Sequence, residues 1–438
     1  MNLFDFSLKL NGFPIKLAEK HLMVVQNLKA DAFKAYVAEK KTDIVAYHMA
    51  NNPFYQDFVK NINPESWSQI PIITKQDLQQ PLAKRLSRNY SKNQVYINKT
   101  SGASGEPFIF AKDYFCHALT WAVIKNRFSW YGLNFNNSKQ ARFYGIPLNT
   151  KDYYKERLKD VLSNRYRFPV FNLSAAALEA YLEKFKSTAF QYINGYTSTI
   201  VQFAKYLEQK NLVLKIICPT LKVCIVTSEM LFDSDKKLME KQFGVPVVNE
   251  YGASELDIIA FENTQNQWQI TSETLFVEIV DEQNKIVPLG QEGRIVITSL
   301  YNKAHPFIRY DIGDIGSLTE NSTLQKPILK KLTGRCTDFA MLPSGKIAPG
   351  LTFYYITKQI IENEGLVREF TIQQLEPNTF KITYVSASSL THAKQQEVIT
   401  EMTRYLEPNL TFIFERTTNL KRSKSGKLKQ FSSVVKQP

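Results

Sequence analysis

Three hydroxyl residues and two glycines crowd one short stretch, Thr100-Ser101-Gly102-Ala103-Ser104-Gly105-Glu106-Pro107. Glycines let backbone N–H groups come close to a phosphate, and the hydroxyls of Thr100, Ser101 and Ser104 can donate to its oxygens. Asn93 to Asn98 before the stretch and Phe108 to Phe110 after it both read as strands, so the stretch is a loop between two short strands. It is not a Walker loop, which needs Gly-Lys-Ser/Thr opening a helix. Here Glu106-Pro107 follows Gly105, and proline suits a strand edge. Taken alone, a Ser/Gly loop is more often a simple turn.

The rest of the chain must hold such a loop in place. Apolar residues at helical spacing (Leu22, Val25, Leu28, Phe33, Val37) predict one or two helices over residues 16 to 50, broken at Asn51-Asn52-Pro53-Phe54-Tyr55. A helix capped by Asp113 is expected to reach Tyr131. It carries His117, read as a satisfied, partly buried histidine. From Tyr144 to Leu300 short apolar runs (Gln191 to Asn194, Leu221 to Val226, Val245 to Asn249) alternate with helical stretches (Ala175 to Ser187, Ser198 to Gln209, Ser234 to Gln242). That alternation predicts a parallel sheet flanked by helices. Leu275 to Asp281 and Gly293 to Ser299 read as antiparallel strands. The last hundred residues change character: a helix over Leu351 to Glu362, strands over Arg368 to Leu375 and Thr379 to Ser386, a helix over Thr391 to Tyr405 and a strand over Thr411 to Glu415. The expected fold class is α/β, a large N-terminal domain of mixed sheets flanked by helices (1–337) with a small, mobile α+β C-terminal domain (338–438).

Composition narrows the function classes. At 438 residues and 44% hydrophobic content the chain can bury two cores. The first residues place Asp5 and Lys9 among apolar positions and lack a secretory core, and no apolar run is long enough to span a bilayer. Cys116, Cys218, Cys224 and Cys336 show no metal-binding spacing. A reduced, cytoplasmic protein without structural zinc is expected. The net charge of +14, from 55 basic and 41 acidic residues, is read as a dispersed, solvated basic surface; nucleic acid is not expected as a partner.

Further along, Asn249-Glu250-Tyr251-Gly252-Ala253-Ser254-Glu255 ends a predicted strand, where ligands gather in open sheets. Arg309-Tyr310-Asp311-Ile312-Gly313-Asp314, Gly334-Arg335-Cys336-Thr337-Asp338 and Lys424-Ser425-Gly426-Lys427 follow in that order. Each alone passes as a charged turn or a basic tail. Together with the Thr100 loop they resemble the motif series of the adenylate-forming enzymes, the acyl-CoA synthetase and luciferase superfamily: T-S-G-T-T-G-x-P, Y-G-x-T-E, R-Y-x-T-G-D, G-R-x-x-D and S-G-K. The chain departs from it at Ala103, Ser104, Ser254 and Ile312, where the family carries threonine. Asn51 to Tyr55, Pro71-Ile72-Ile73-Thr74-Lys75 and the ending Gly426 to Phe431 resemble the phenylacetate-CoA ligase-like branch, above all its CapK-like members.

The resemblance implies ATP-dependent activation of a carboxylate to an acyl-adenylate, then transfer to a thiol or amine acceptor. It implies ATP and Mg²⁺ as cofactors, and coenzyme A, a carrier protein or an amino sugar as acceptor. Thr100, Ser101, Gly102, Ser104 and Gly105 would cradle phosphate. Tyr251 would lie against adenine, Gly252 beside it would belong to the nucleotide site, Ser254 would touch phosphate, and Glu255 would help hold Mg²⁺. Asp314 would accept from the ribose hydroxyls and Arg335 would bind ribose or phosphate. Asp338 would be the hinge, and Lys427 the cation that meets carboxylate and α-phosphate. The acyl pocket is expected between Tyr144 and Tyr251, with Tyr144, Ile146, Thr227 and Ser228 as candidates. Two other readings compete: a basic nucleic-acid- or membrane-surface-binding protein, which leaves the ordered motifs unexplained, and a nucleotide-binding homologue with degraded activity, suggested by Ala103 and Ile312.

Overall fold

The computed structural model describes residues 3–60, 66–99, 108–145, 150–170, 173–335, 339–349, 353, 357, 367–422 and 428–435. Packing divides the chain into two compact units, Met1–Ile312 with Gly316–Lys331, and Gly313–Ile315 with Leu332–Pro438.

In the first unit the early apolar spacing becomes two helices, Ile15–Gln26 and Ala30–Asn51, with Leu22, Val25, Phe33 and Val37 buried. The Asn-Pro-Phe-Tyr break is a helix cap. Asn52 accepts from the Tyr55 N–H at 2.9 Å, with Pro53 at the first helical position, and its amide donates to the Arg85 carbonyl at 2.9 Å. β1 (Val95–Lys99) and β2 (Ile109–Asp113) pair antiparallel, as expected for strands flanking the glycine-rich stretch; residues 100–107 lie outside the described residues. Asp113 then caps the helix Tyr114–Ser129 by accepting from the Cys116 N–H at 2.9 Å. On that helix the buried His117 accepts from Trp121 Nε1 at 3.2 Å and stacks on Tyr96 at 3.8 Å, while its Nδ1 has no partner, so it is only half satisfied.

β3 (Gln140–Phe143), β4 (Arg165–Phe168), β5 (Tyr192–Tyr196), β6 (Val223–Thr227), β7 (Val247–Ala253), β8 (Asp257–Glu262) and β9 (Trp268–Ile270) form one sheet in the order β4-β3-β5-β6-β7-β8-β9. The first five are parallel and the last two antiparallel. Helices Ala175–Lys186, Thr197–Gln209 and Asp233–Phe243 cover one face through Phe185, Phe203 and Phe243. Phe128 of the helix Tyr114–Ser129 packs on the other, against Tyr192, Ile225 and Val248. With both faces covered, β5 and β6 are buried along their whole length, which is why β6 reads as a near-continuous apolar run rather than an alternating one. Gly195 is required here: a Cβ would stand 2.3 Å from the Phe143 carbonyl oxygen on β3.

β10 (Leu275–Val280), β11 (Gly293–Ser299), β12 (Tyr310–Leu318) and β13 (Leu329–Arg335) make a four-stranded sheet in sequence order, β10 and β11 antiparallel as their alternation predicts. The division between units passes through β12 and β13. In the second unit β14 (Phe339–Met341) and β15 (Ile347–Pro349) form a hairpin. β16 (Val367–Glu376), β17 (Thr379–Ser386), β18 (Thr411–Thr417) and β19 (Phe431–Ser433) form a sheet ordered β18-β17-β16-β19. The helix His392–Tyr405 is capped by Thr391 and buries Val398 and Met402. β19 was not foreseen. It is three residues long, and its parallel pairing with β16, Ile372 opposite Phe431, is a long-range choice that no local pattern announces. The helix expected over Leu351 to Glu362 lies almost wholly outside the described residues, as do Asp338 and Lys427.

Candidate active site

The carboxyl ends of the parallel strands carry the Tyr251 motif. The sequence suggests a loop after Asn249, but β7 continues through Ala253 and pairs with β8, Gly252 opposite Ile258 and Ala253 opposite Asp257. Gly252 is the reason. A Cβ there would lie 2.4 Å from the Asp257 carbonyl oxygen, so only glycine lets the two strands close this tightly. The ring of Tyr251 is buried, edge-on to Trp268 with centroids 5.9 Å apart. Ser254 is exposed in the turn, while Glu255 just beyond it is buried.

Glu255 gathers groups that are far away in sequence. The Tyr310 hydroxyl, at the start of β12, donates to its Oε1 at 3.1 Å. Lys112 of β2 borders the same small cavity, with Thr120 and Ser299. Its ammonium contacts the Asp257 carboxylate, which also accepts from the Thr120 hydroxyl at 2.8 Å. Burial pulls the Lys112 ammonium down to about 8, while Cys116 and Glu255 pull it back up. The touching Asp257 carboxylate adds to that opposition. Asp257 is held in the left-handed backbone region, φ +60°. Backbone strain and a buried ion pair thus meet next to Glu255, as at many functional turns.

Arg309 and Tyr310 are fixed by the other early landmark. The Ile73 N–H donates to the Arg309 carbonyl at 3.0 Å, and the Asp311 N–H donates to the Ile73 carbonyl at 2.8 Å. The Arg309 guanidinium, fully buried, donates to the Ile70 carbonyl at 2.6 Å and reaches Glu278 at 3.3 Å. The Pro71-to-Lys75 segment thus braces the start of the Arg309–Asp314 motif through the backbone of Ile73. Asp314 is buried on β12, next to Gly313 with φ +81°, and is grouped with the second unit. Arg335 ends β13.

The sequence candidates thus fall into three sets. Tyr251, Gly252, Ser254 and Glu255 share one hairpin, and Tyr310 joins them. Asp314 and the backbone of Arg335 lie in the second unit's part of the β12–β13 sheet. Thr100, Ser101, Gly102, Ser104, Gly105, Asp338 and Lys427 lie outside the described residues. Lys112, Asp257 and Tyr310 were missed. A lysine inside the otherwise apolar run Ile109-Phe110-Ala111 was the available signal for the first.

Tyr144, Thr227 and Ser228 also sit at the carboxyl ends, beyond β3 and at the end of β6; Ile146 is outside the described residues. Ser228 has φ +71°, a sharp exit from the strand.

No protein-family profile matches the chain. Protein CapK of Staphylococcus aureus is 23% identical over 369 residues, spanning 81% of this chain and 77% of that protein. Phenylacetate-coenzyme A ligase of Pseudomonas putida is 28% identical over 134 residues, 30% of each chain. The chain is thus similar in sequence to a CapK protein and, over a shorter stretch, to phenylacetate-CoA ligases. The fold agrees. A crystal structure of 2-hydroxyisobutyryl-CoA ligase in the postadenylation state matches with a TM-score of 0.70 at 15% identity, covering 94% of this chain and 91% of that one. The amide bond synthetase McbA from Marinactinospora thermotolerans matches with a TM-score of 0.52 at 13% identity, over 75% and 66% of the two chains. At such identities the likeness shows the fold alone.

Among the described residues no helix is long and apolar enough to cross a membrane, and no three His, Cys, Asp or Glu side chains cluster as a metal site. Cys116, Cys218 and Cys224 are free thiols, all buried.

Proposed function

We propose that the chain is an ATP-dependent, AMP-forming acid ligase that works in the reducing cytoplasm. A carboxylate oxygen attacks the α-phosphorus of ATP, the bond to the β-phosphate oxygen breaks, and pyrophosphate leaves. A thiol or amine then attacks the acyl carbon, loses its proton and displaces AMP. Coenzyme A is the acceptor that the ligase neighbours support; a carrier protein or an amino sugar would serve the same chemistry.

One observation carries this reading. Two family motifs 55 residues apart in sequence meet through the Tyr310–Glu255 hydrogen bond, at the carboxyl ends of a parallel sheet. A solvated turn needs no such pairing. The buried Glu255 carboxylate suits a hard cation that takes one protein oxygen and completes its shell from phosphate oxygens and water. With no three His, Cys, Asp or Glu side chains clustered among the described residues, and Asp257 engaged by Lys112 and Thr120, Glu255 fits Mg²⁺ arriving with ATP rather than a resident metal cage. When bound, Mg²⁺ would offset charge on the phosphates.

The chain's own residues do the rest by position and charge. Tyr251 and Gly252 form the adenine wall, and Ser254 with Thr100, Ser101, Gly102, Ser104 and Gly105 binds phosphate. Asp314 holds the ribose, Arg335 the ribose or phosphate. Lys427 neutralises the crowded anions at the α-phosphorus, and Asp338 is the hinge between domains 1–337 and 338–438.

ATP–pyrophosphate exchange across a panel of acids tests the reading, with Lys427→Ala as the decisive variant. Exchange in the variant should fall by about 10²-fold or more, the usual loss when a transition-state contact is removed. Product formation from synthetic acyl-adenylate should survive. Absence of exchange with every acid would favour a degraded homologue, and normal exchange in Lys427→Ala would reduce the tail to a solvated basic end.

A further inference from the structure

A second set of polar groups lies at the carboxyl ends of the same sheet, separate from the Glu255 cluster. On β3 the buried Phe143 packs on the helices of one face, so the preceding Arg142 points to the other. Its guanidinium lies over the ring of Tyr144 at 4.0 Å, and Tyr144 meets Tyr196 at 4.7 Å. Across the sheet, Thr227 of β6 stands opposite both Tyr196 of β5 and Glu250 of β7. The Thr227 side chain is hydrogen-bonded to the Glu250 carboxyl.

Arg142 differs from its neighbours on β4. Arg165 donates to Asp160 at 2.5 Å, and Arg167 donates to Asp160 at 2.9 Å and Glu156 at 2.9 Å. Those pairs use up both nearby carboxylates. The Nε of Arg142 is buried and has no hydrogen-bond partner. A charged donor taken out of water and left unpaired is costly, so proteins leave one where a ligand completes it.

On the other side Glu250 faces the same region. Burial pushes its carboxyl up to about 7, opposed by the Thr227 hydroxyl and by the charge of Arg142. A pocket for a hydrocarbon chain has no use for either group. Lining it with a half-buried carboxyl and a guanidinium whose buried Nε has no partner would penalise every apolar acid that entered.

We propose that Arg142, Thr227 and Glu250, with the aromatic wall of Tyr144 and Tyr196, form the acyl-recognition pocket and select a carboxylic acid whose chain carries hydrogen-bonding groups, a hydroxyl or amino donor toward Glu250 and an acceptor toward Arg142. This deepens the ligase reading by naming the substrate class, and rests on that reading only for the fate of the acid. Discrimination comes from the protein side: an acid without these groups leaves the buried Arg142 Nε without a partner and Glu250 with only Thr227 in the complex.

The test compares two series of matched acids, butyrate with 4-hydroxybutyrate and 4-aminobutyrate, and phenylacetate with its 4-hydroxy and 4-amino forms. Binding is measured by calorimetry and turnover by ATP–pyrophosphate exchange. The parent protein should favour a substituted member of a series by about tenfold or more. Whether the hydroxyl or the amino form leads tells which donor Glu250 accepts. Glu250→Leu and Arg142→Met should each bring the preference within about threefold, with unfolding midpoints close to the parent's. Glu250→Gln, which keeps shape and hydrogen bonding, should retain selection of the hydroxyl form. A preference for the unsubstituted acids, a preference that survives both Glu250→Leu and Arg142→Met, or binding of none of the six acids would overturn the proposal. Selective binding without exchange would support the pocket and count against the ligase reading.

Discussion

Tyr310→Phe removes one oxygen atom and, with it, the hydrogen bond that joins two motifs. Both partners are buried, Tyr310 at 1% and Glu255 at 6% exposure, so water cannot replace the lost donor. The ring keeps its edge-on contact with Phe307, centroids 5.2 Å apart, and phenylalanine fills the same volume. The change removes the 3.1 Å bond to Glu255 Oε1. A hydrogen bond to a charged group contributes about 1.5–3 kcal/mol, and removing one partner exposes the desolvation cost of the other. Lys112 remains within electrostatic reach of Glu255 and softens that cost, so the lower half of the range is expected, about 1.5–2 kcal/mol. A penalty of 1.4 kcal/mol is tenfold in an equilibrium constant. Two assays read it: urea unfolding, and pyrophosphate exchange titrated with Mg²⁺. The unfolding midpoint should drop, and the Mg²⁺ requirement should rise by roughly tenfold as the carboxylate loses its fixed orientation. If both curves overlay the parent's, the bond holds nothing in place and the convergence of the two motifs has no functional content.

Asp314→Ala should weaken ATP binding by roughly 1–3 kcal/mol through lost charge-assisted hydrogen bonds; equal affinity in calorimetry would remove the ribose assignment. Gly252→Ala puts a methyl group 2.4 Å from a backbone oxygen, whereas Gly313→Ala meets nothing within 4 Å and suffers only from its positive φ. The first should cost more than the second, about 1–3 kcal/mol or above for overpacking against about 1 kcal/mol, and a reversed order in unfolding midpoints would refute the hairpin geometry. Glu250 has its carboxyl raised from 4.5 to about 7, so the folded chain holds that proton more tightly than the unfolded one. Its stabilising contribution is complete below pH 4.5 and fades as pH rises through about 7. Glu250→Gln should flatten that part of the stability–pH curve, and a curve superimposable on the parent's would show that Glu250 is solvated.

What could be read directly from the chain was whatever local chemistry enforces. Strand β6 is legible because a sheet covered on both faces favours apolar runs, and β5 keeps most of that signal despite its buried Asn194. The helix after Asp113 is legible because a carboxylate cap leaves a mark one residue wide. The family series of glycines, hydroxyls and charges was legible because each turn needs its own residue types, whatever surrounds it. Position along the chain does not say which charged residues meet. Lys112, Thr120 and Asp257 converge from three separate elements, and nothing in their own neighbourhoods distinguishes them from surface polar residues. Tyr310 looked like a motif filler until β12 brought its hydroxyl to Glu255. Arg142 shows the same limit from the other side. Three arginines at alternating positions on β3 and β4 look alike in sequence, and only the register of those strands, with Asp160 and Glu156 placed beside Arg165 and Arg167, leaves Arg142 as the one whose buried Nε has no partner. Sequence determined the backbone conformations and the list of chemical groups. Tertiary structure decided which of those groups lost their water, and so which had to find a partner or wait for a ligand.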